Sequence, residues 1–197
     1  MPTSTIKTNN DNSLIEGKVN LRLQSLPDKK EINVLEAFGG EGVLWSIVQR
    51  KAPDKKINVL SIDKNKYGRV QLQGDNLKFL HSLNLSEFDI IDLDAWGSPI
   101  NQLEVLFERK YTGIVHCTFI QTMQGCLSKK MLRKLGYTDA MMPKCQSLFN
   151  KNGIEKFLNY LSISGIKKVN IISQNHVKII YGFMYKYFYN SLVMNNL

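Results

Sequence analysis

Two stretches of this 197-residue chain place acids and glycines at spacings that could hold a nucleoside and act on an amine. The first is Glu36-Ala37-Phe38-Gly39-Gly40-Glu41-Gly42, followed 21 residues after Gly42 by Asp63. Glycines let a backbone turn sharply and approach a ligand closely, and the helix N-terminus beyond them offers bare N–H groups. An acid closing the next strand, as Asp63 does, can accept both hydroxyls of a ribose. The dinucleotide fingerprint G-x-G-x-x-G is not met, and Glu36 and Glu41 would be poor neighbours for a pyrophosphate. An acid ending the first strand suits a cationic cofactor with an amino-acid group, such as S-adenosylmethionine (AdoMet). The alternative role for Glu36 is to cap the glycine loop. Glu36, Ala37, Phe38, Gly39, Gly40, Gly42, Asp63 and Lys64 are the cofactor-binding candidates, joined by Asp75 and Asn76 of Gly74-Asp75-Asn76. Asp75 can hydrogen-bond an adenine amine or N-cap a helix, and both roles can hold at once.

The second stretch is Asp89-Ile90-Ile91-Asp92-Leu93-Asp94-Ala95-Trp96-Gly97-Ser98-Pro99. Asp89 is expected to start a strand, exposed. Asp92 and Asp94, two residues apart, point to one face near its C-terminal end. Acids buried there are costly unless they do something. Trp96 can stack on a planar base, and Gly97 lets the chain fold away. Such a site suits a flat substrate whose amine is held by a carboxylate.

These residues need elements to position them, and periodicity supplies the expectations. Strands are read at Ile15 to Leu23, Ile32 to Phe38, Ile57 to Ile62, Phe88 to Leu93, Gly113 to Ile120, Val169 to Ser173 and Val177 to Phe188. Helices are read at Val43 to Lys51, Leu77 to Leu83, Pro99 to Lys110 with Ser98 as its cap, Ser128 to Leu135 closed by Gly136, and Ile154 to Leu161. Lys64 to Gln73 is short for a crossover helix. A turn at Gln174-Asn175-His176 makes the last two strands a hairpin. The pattern predicts an α/β, Rossmann-like fold: a mostly parallel twisted sheet with helices on both faces and a C-terminal antiparallel hairpin. Residues 1–12 read as a flexible tail and 13–197 as a single domain.

Composition narrows the setting. The three cysteines lack CxxC spacing, and no metal site is expected. Nor does any apolar run approach a membrane span or a signal peptide, so the expected location is cytoplasmic. The net charge of +9 is unevenly spread. Residues 1–109 hold 14 basic and 15 acidic side chains, whereas residues 110–197 hold 12 basic and two acidic, Asp139 and Glu155. That asymmetry points to a polyanionic partner, RNA more than DNA, with Lys129, Lys130, Arg133 and Lys134 as phosphate contacts; the other reading is a solvated helix face. His81, His116 and His176 lack metal-ligand spacing and read as packing or surface.

Asp92-Leu93-Asp94-Ala95-Trp96-Gly97-Ser98-Pro99 resembles the Asp-x-Asp-Pro-Phe/Tyr-Gly-Ser-Pro signature of the tRNA guanine N2-dimethyltransferases, which are class I AdoMet-dependent methyltransferases. Glu16-Gly17-Lys18, the glycine loop, Cys126 to Gly136 and Val169 to Tyr185 are similar to further pieces of that family, in its order. Ala95 stands where the family has Pro, and Gln121 where it has an acid. The segments before the cofactor strand and after Asp63 are shortened, and the family's C-terminal domain is not found. The resemblance implies that an exocyclic amine displaces the sulfonium methyl of AdoMet. Asp92 is then the cofactor-side acid and Asp94 the amine acceptor that orients the lone pair and offsets developing charge. The Ala95 carbonyl takes the second N–H, and Trp96 stacks on the base. A methyltransferase for a small molecule, a protein or DNA and a non-catalytic AdoMet- or RNA-binding module are the rival readings, with a nicotinamide oxidoreductase behind them.

Overall fold

A computed structural model of the chain describes residues 15–95, 98–120, 127–166, 168–171 and 180–186. Its elements in order are α1 (Ile15–Ser25), β1 (Glu31–Glu36), α2 (Val43–Lys51), β2 (Lys56–Asp63), β3 (Leu72–Gln73), α3 (Asn76–Ser82), β4 (Ile90–Leu93), α4 (Ile100–Glu108), β5 (Ile114–Ile120), α5 (Lys129–Lys134), α6 (Cys145–Ile163), β6 (Lys168–Ile171) and β7 (Ile180–Lys186). The strands form one sheet in the order β3-β2-β1-β4-β5-β7-β6. The first five are parallel, and β7 runs antiparallel to both β5 and β6. This is the expected α/β architecture with its terminal hairpin. The turn expected at residues 174–176 lies outside the described residues.

The two faces of the sheet differ along their length. On one face Leu35, Ala37, Ile62, Ile91, Leu93, Val115 and Cys117 pack against α3, α4, α5 and α6 through Leu80, Leu103, Leu106, Leu132, Phe157 and Leu161. Each large apolar side chain buried there contributes about 1.5–3 kcal/mol. On the other, α1 and α2 bring Val19, Trp45 and Val48 onto Ile32, Val34, Ile90 and Ile114. Towards the strands' C-terminal ends this second face turns from apolar to ionic, because the alternation continues through Glu36, Asp92, His116 and Thr118, all buried.

Several elements depart from expectation. Residues 15–23, expected as a strand, belong to the helix α1. Its buried stripe includes Val19, Arg22 and Ser25 at helical spacing, and two of those three are polar, so hydrophobicity does not reveal the period. The Lys64–Gln71 link crosses without a helix and still delivers β3 parallel to β2, though over only two residue pairs. Gln71 secures that edge, its side-chain oxygen accepting from Ser61 N at 2.8 Å and its backbone N–H donating to Ser61 O at 3.1 Å. Ser98 does not cap α4. Pro99 is the N-cap residue, and Ser98 Oγ is buried with no hydrogen-bond partner among the described residues. Asp89 precedes β4 and is half-buried, accepting from Asn33 N at 2.8 Å while pairing with Lys29. It belongs to the scaffold. Finally, α6 begins nine residues before the expected Ile154, running through Asn150, Asn152 and Gly153, poor helix formers overridden by the anchoring of Phe157 and Leu161 in the core.

Candidate functional site

Strand order reverses at β1, which pairs with β2 on one side and β4 on the other. In open α/β sheets the crevice beyond the carboxyl ends of the strands at such a point is where ligands bind. The two stretches singled out above meet there, since Glu36 of β1 lies in register with Asp92 of β4.

The glycine loop is built tightly on its neighbours. Gly40 and Gly42 have φ of +48° and +66°, a region that favours glycine. A Cβ on Gly39 would come within 1.6 Å of Ser61 Oγ, whereas one on Gly40 would meet nothing within 4 Å. The loop is thus closed below at Gly39 and open above Gly40. Asp63 accepts from Gly40 N at 3.0 Å and Asn65 N at 2.8 Å, one bond on each oxygen. A carboxylate has about four lone-pair sites, so among the described residues two remain for hydroxyl donors. Asn76 donates to Ala37 O at 2.8 Å and accepts from Gln102 at 3.0 Å, bracing the strand end. Asp75 caps α3 by accepting from Leu77 N at 3.0 Å. Phe38 packs half-buried on the core, and Lys64 is exposed.

Below the loop lies a layer of charge. Asp92 has no exposed surface and accepts from Arg22 Nε and Nη2, both at 2.8 Å, and from Trp45 Nε1 at 2.7 Å. Its expected place on the cofactor side is therefore corrected: it is an internal anchor for α1 and α2. Burial alone would lower the Arg22 guanidinium, but Asp92 and Asp94 hold it above its ordinary value. Asp94, one step nearer the crevice and 21% exposed, receives Lys18 Nζ on both oxygens at 2.8 and 2.9 Å and the Thr118 hydroxyl on Oδ1. Among the described residues only Lys18 donates to Oδ2, which leaves one lone-pair site there for a further donor. Glu36 is 5% exposed and accepts from Ser61 Oγ at 3.1 Å. Burial and then Asp92 push its carboxyl up to about 8, so it is protonated at neutral pH. His116 stacks on Trp45 and hydrogen-bonds Ser25 Oγ through Nε2 at 2.8 Å. Ser25 donates to Arg22 O, which assigns the ring hydrogen to Nε2. Burial, then Arg22, holds this imidazole well below its ordinary value and neutral.

Ala95 is buried beside Asp94. Trp96, Gly97, Gln121 and Cys126 lie outside the described residues. In α5 Ser128 caps the helix, Arg133 pairs with Asp139 at 2.9 Å and Lys134 with Glu104, leaving Lys129 and Lys130 exposed. Sequence reasoning did not find the roles of Lys18, Arg22, Trp45, His116 and Thr118. The available signal was a helix-spaced Lys18 and Arg22 before an acidic strand end. Among the described residues no group of His, Cys, Asp and Glu could hold a metal ion, and no helix is long and apolar enough to cross a membrane. A groove of about 770 Å³, lined by Gln24, Asn84, Arg109, Tyr111 and Thr112 among others, opens at the opposite, N-terminal ends of β4 and β5.

Solved structures share this fold. A Methanococcus maripaludis protein assigned to the S-adenosyl-L-methionine-dependent methyltransferases is 16% identical over 91% of this chain and 88% of its own, with a TM-score of 0.50. The fold is Rossmann-like, and methyltransferases have it. An O-methyltransferase family protein from Burkholderia thailandensis aligns over 89% of this chain and 55% of its own at 14% identity and TM-score 0.50. A Bordetella parapertussis protein described as a possible exported protein aligns over 89% of this chain and 67% of its own at 9% identity and TM-score 0.57. At such identities the likeness carries the Rossmann-like fold and not the reaction. No protein-family model matches the chain, and no curated protein does.

Proposed function

We propose that this protein is a cytoplasmic AdoMet-dependent methyltransferase whose acceptor is an exocyclic amine of a base in RNA. One observation carries the reading. The open glycine loop with Asp63 and the half-exposed Asp94 sit side by side at the switch point of a Rossmann-like sheet. The residues suit AdoMet: Asp63 has lone pairs for ribose hydroxyls, the space above Gly40 admits a ligand against the backbone, and Glu36 lies beneath that loop. When bound, AdoMet supplies a methyl group activated by a sulfonium.

This chain's residues then do three things. The loop and Asp63 orient the nucleoside, with Asp75 available to an adenine amine. Asp94 Oδ2 accepts one N–H of the acceptor amine, directing the nitrogen lone pair away from the ring and offsetting charge as it develops. Lys18 and Thr118 hold the carboxylate in that orientation. The amine sheds its surplus proton to water once it carries the methyl group. A base in structured RNA has to be unstacked to reach this crevice, and the exposed Lys129 and Lys130 are the natural phosphate contacts. Guanine N2 of tRNA is the acceptor favoured by the resemblance at Asp92–Pro99.

The test is to incubate total RNA with isotopically labelled AdoMet and resolve the nucleosides by mass spectrometry. Labelled N2-methylguanosine, lost with Asp94→Ala, is the expected result. Label confined to small molecules or protein, or an Asp94→Ala protein as active as wild type, would overturn it.

A further inference from the structure

The ionic layer beneath the glycine loop holds three carboxylates, Glu36, Asp92 and Asp94, against two cations, Arg22 and Lys18. Both cations are already committed, Arg22 to Asp92 and Lys18 to Asp94. Glu36 is the odd member. It is 5% exposed, and Ser61 Oγ is its one hydrogen-bond donor among the described residues, reaching Oε2. A Cβ built on Gly39 would stand 3.4 Å from that same oxygen, so the carboxyl lies directly under the loop. The charged groups acting on it are Asp92, Arg22 and Asp94, with the neutral His116 in register beside Asp92 and Asp63 held on the loop at Gly40 N. In this setting the layer is electrically balanced only when Glu36 carries a proton.

Resting on the methyl-donor reading above, we infer that Glu36 releases its proton to solvent as a cationic nucleoside enters the crevice, making it a specificity-determining residue that favours the charged methyl donor over the neutral product. AdoMet carries one net positive charge, and S-adenosylhomocysteine, the thioether left after transfer, carries none. Donor entry supplies the cation that a third carboxylate lacks. Methyl transfer removes that charge, the carboxylate takes a proton back from water, and product binding weakens.

Proton linkage makes this measurable. With the carboxyl pushed up to about 8, Glu36 is mostly protonated at pH 7. Calorimetry in two buffers of different ionisation enthalpy counts the protons exchanged when AdoMet, without any acceptor, or S-adenosylhomocysteine binds. The expected result is release of about one proton with AdoMet at pH 7, and an affinity rising nearly tenfold from pH 6 to 7. S-adenosylhomocysteine should release less than half as much and show a nearly flat pH dependence. Glu36→Gln should bind both ligands with no proton release and a donor preference independent of pH. AdoMet binding without proton release, or equal release by both ligands, overturns the inference while leaving the methyl-donor reading intact. Binding of neither ligand overturns both. The wild-type proton count requires no variant to fold.

Discussion

Replacing Arg22 by Met removes one side of the Asp92 pair while keeping much of its apolar volume. Arg22 donates twice to Asp92 at 2.8 Å, and their side chains are 3% and 0% exposed. No solvent can take over the lost contacts, and Trp45 Nε1 at 2.7 Å becomes the one remaining donor to a buried anion among the described residues. Removing one partner of such a pair costs about 3–5 kcal/mol, most of it the uncompensated charge. With a urea m-value of about 2 kcal/mol/M, the unfolding midpoint should fall by about 1.5–2.5 M. The control is Arg22→Met/Asp92→Leu, which removes the charge as well and should recover most of the loss, as apolar replacements of buried pairs often do. Urea titration followed by circular dichroism reads both. A single variant within 1 kcal/mol of wild type, or a double variant no more stable than the single, would refute the assignment of Asp92 as an internal anchor.

Glu36 gives a pH dependence whose sign is fixed by its raised pKa. The folded state keeps a proton that the unfolded chain releases above about 4.5, so stability should fall as pH rises from about 4.5 to about 8 and level off beyond. The slope is at most about 1.4 kcal/mol per pH unit, and comparing wild type with Glu36→Gln in urea from pH 5 to 9 isolates it. Gly39→Ala should destabilise by about 1–3 kcal/mol through its clash with Ser61 Oγ, and Ser61→Ala should recover part of that in thermal melts. Replacing Lys129 and Lys130 by Ala should weaken RNA binding alike across sequences and lower the slope of log affinity against log salt by about 1–2. Filter binding at several salt concentrations checks this.

The sheet was legible because apolar alternation in Ile32–Leu35 and Ile90–Leu93 is strong and the glycine loop marks a strand's end. That Glu36 and Asp94 share one crevice followed from topology: both end strands on either side of the switch point. What periodicity could not show was a helix docked by charge. In α1 the buried positions include Arg22 and Ser25, which score as surface residues until Asp92 and His116 are known to lie opposite. Asp92 was misplaced for the same reason. Two acids on one strand face read alike in sequence, yet one step of β4 separates a sealed anion from a half-exposed one. Thr118 and His116 surfaced only through the β4–β5 register, which sets His116 beside Asp92.

The bonds that hold α1 in place also bear on how the molecule is made. Arg22 and Lys18 grip residues 70 and 76 positions further along the chain. A ribosome adding about 5–20 residues per second needs roughly 4–15 s to deliver those acids after the helix has emerged. During that interval α1 holds a stripe of charge and apolar surface with nothing to dock on. Closing a loop of this length is slow relative to local helix formation, so α1 should be a late arrival on a preformed sheet. Slow docking of the first-made helix would then time the appearance of the finished crevice. In refolding, a probe on α1 should lag behind one on β1.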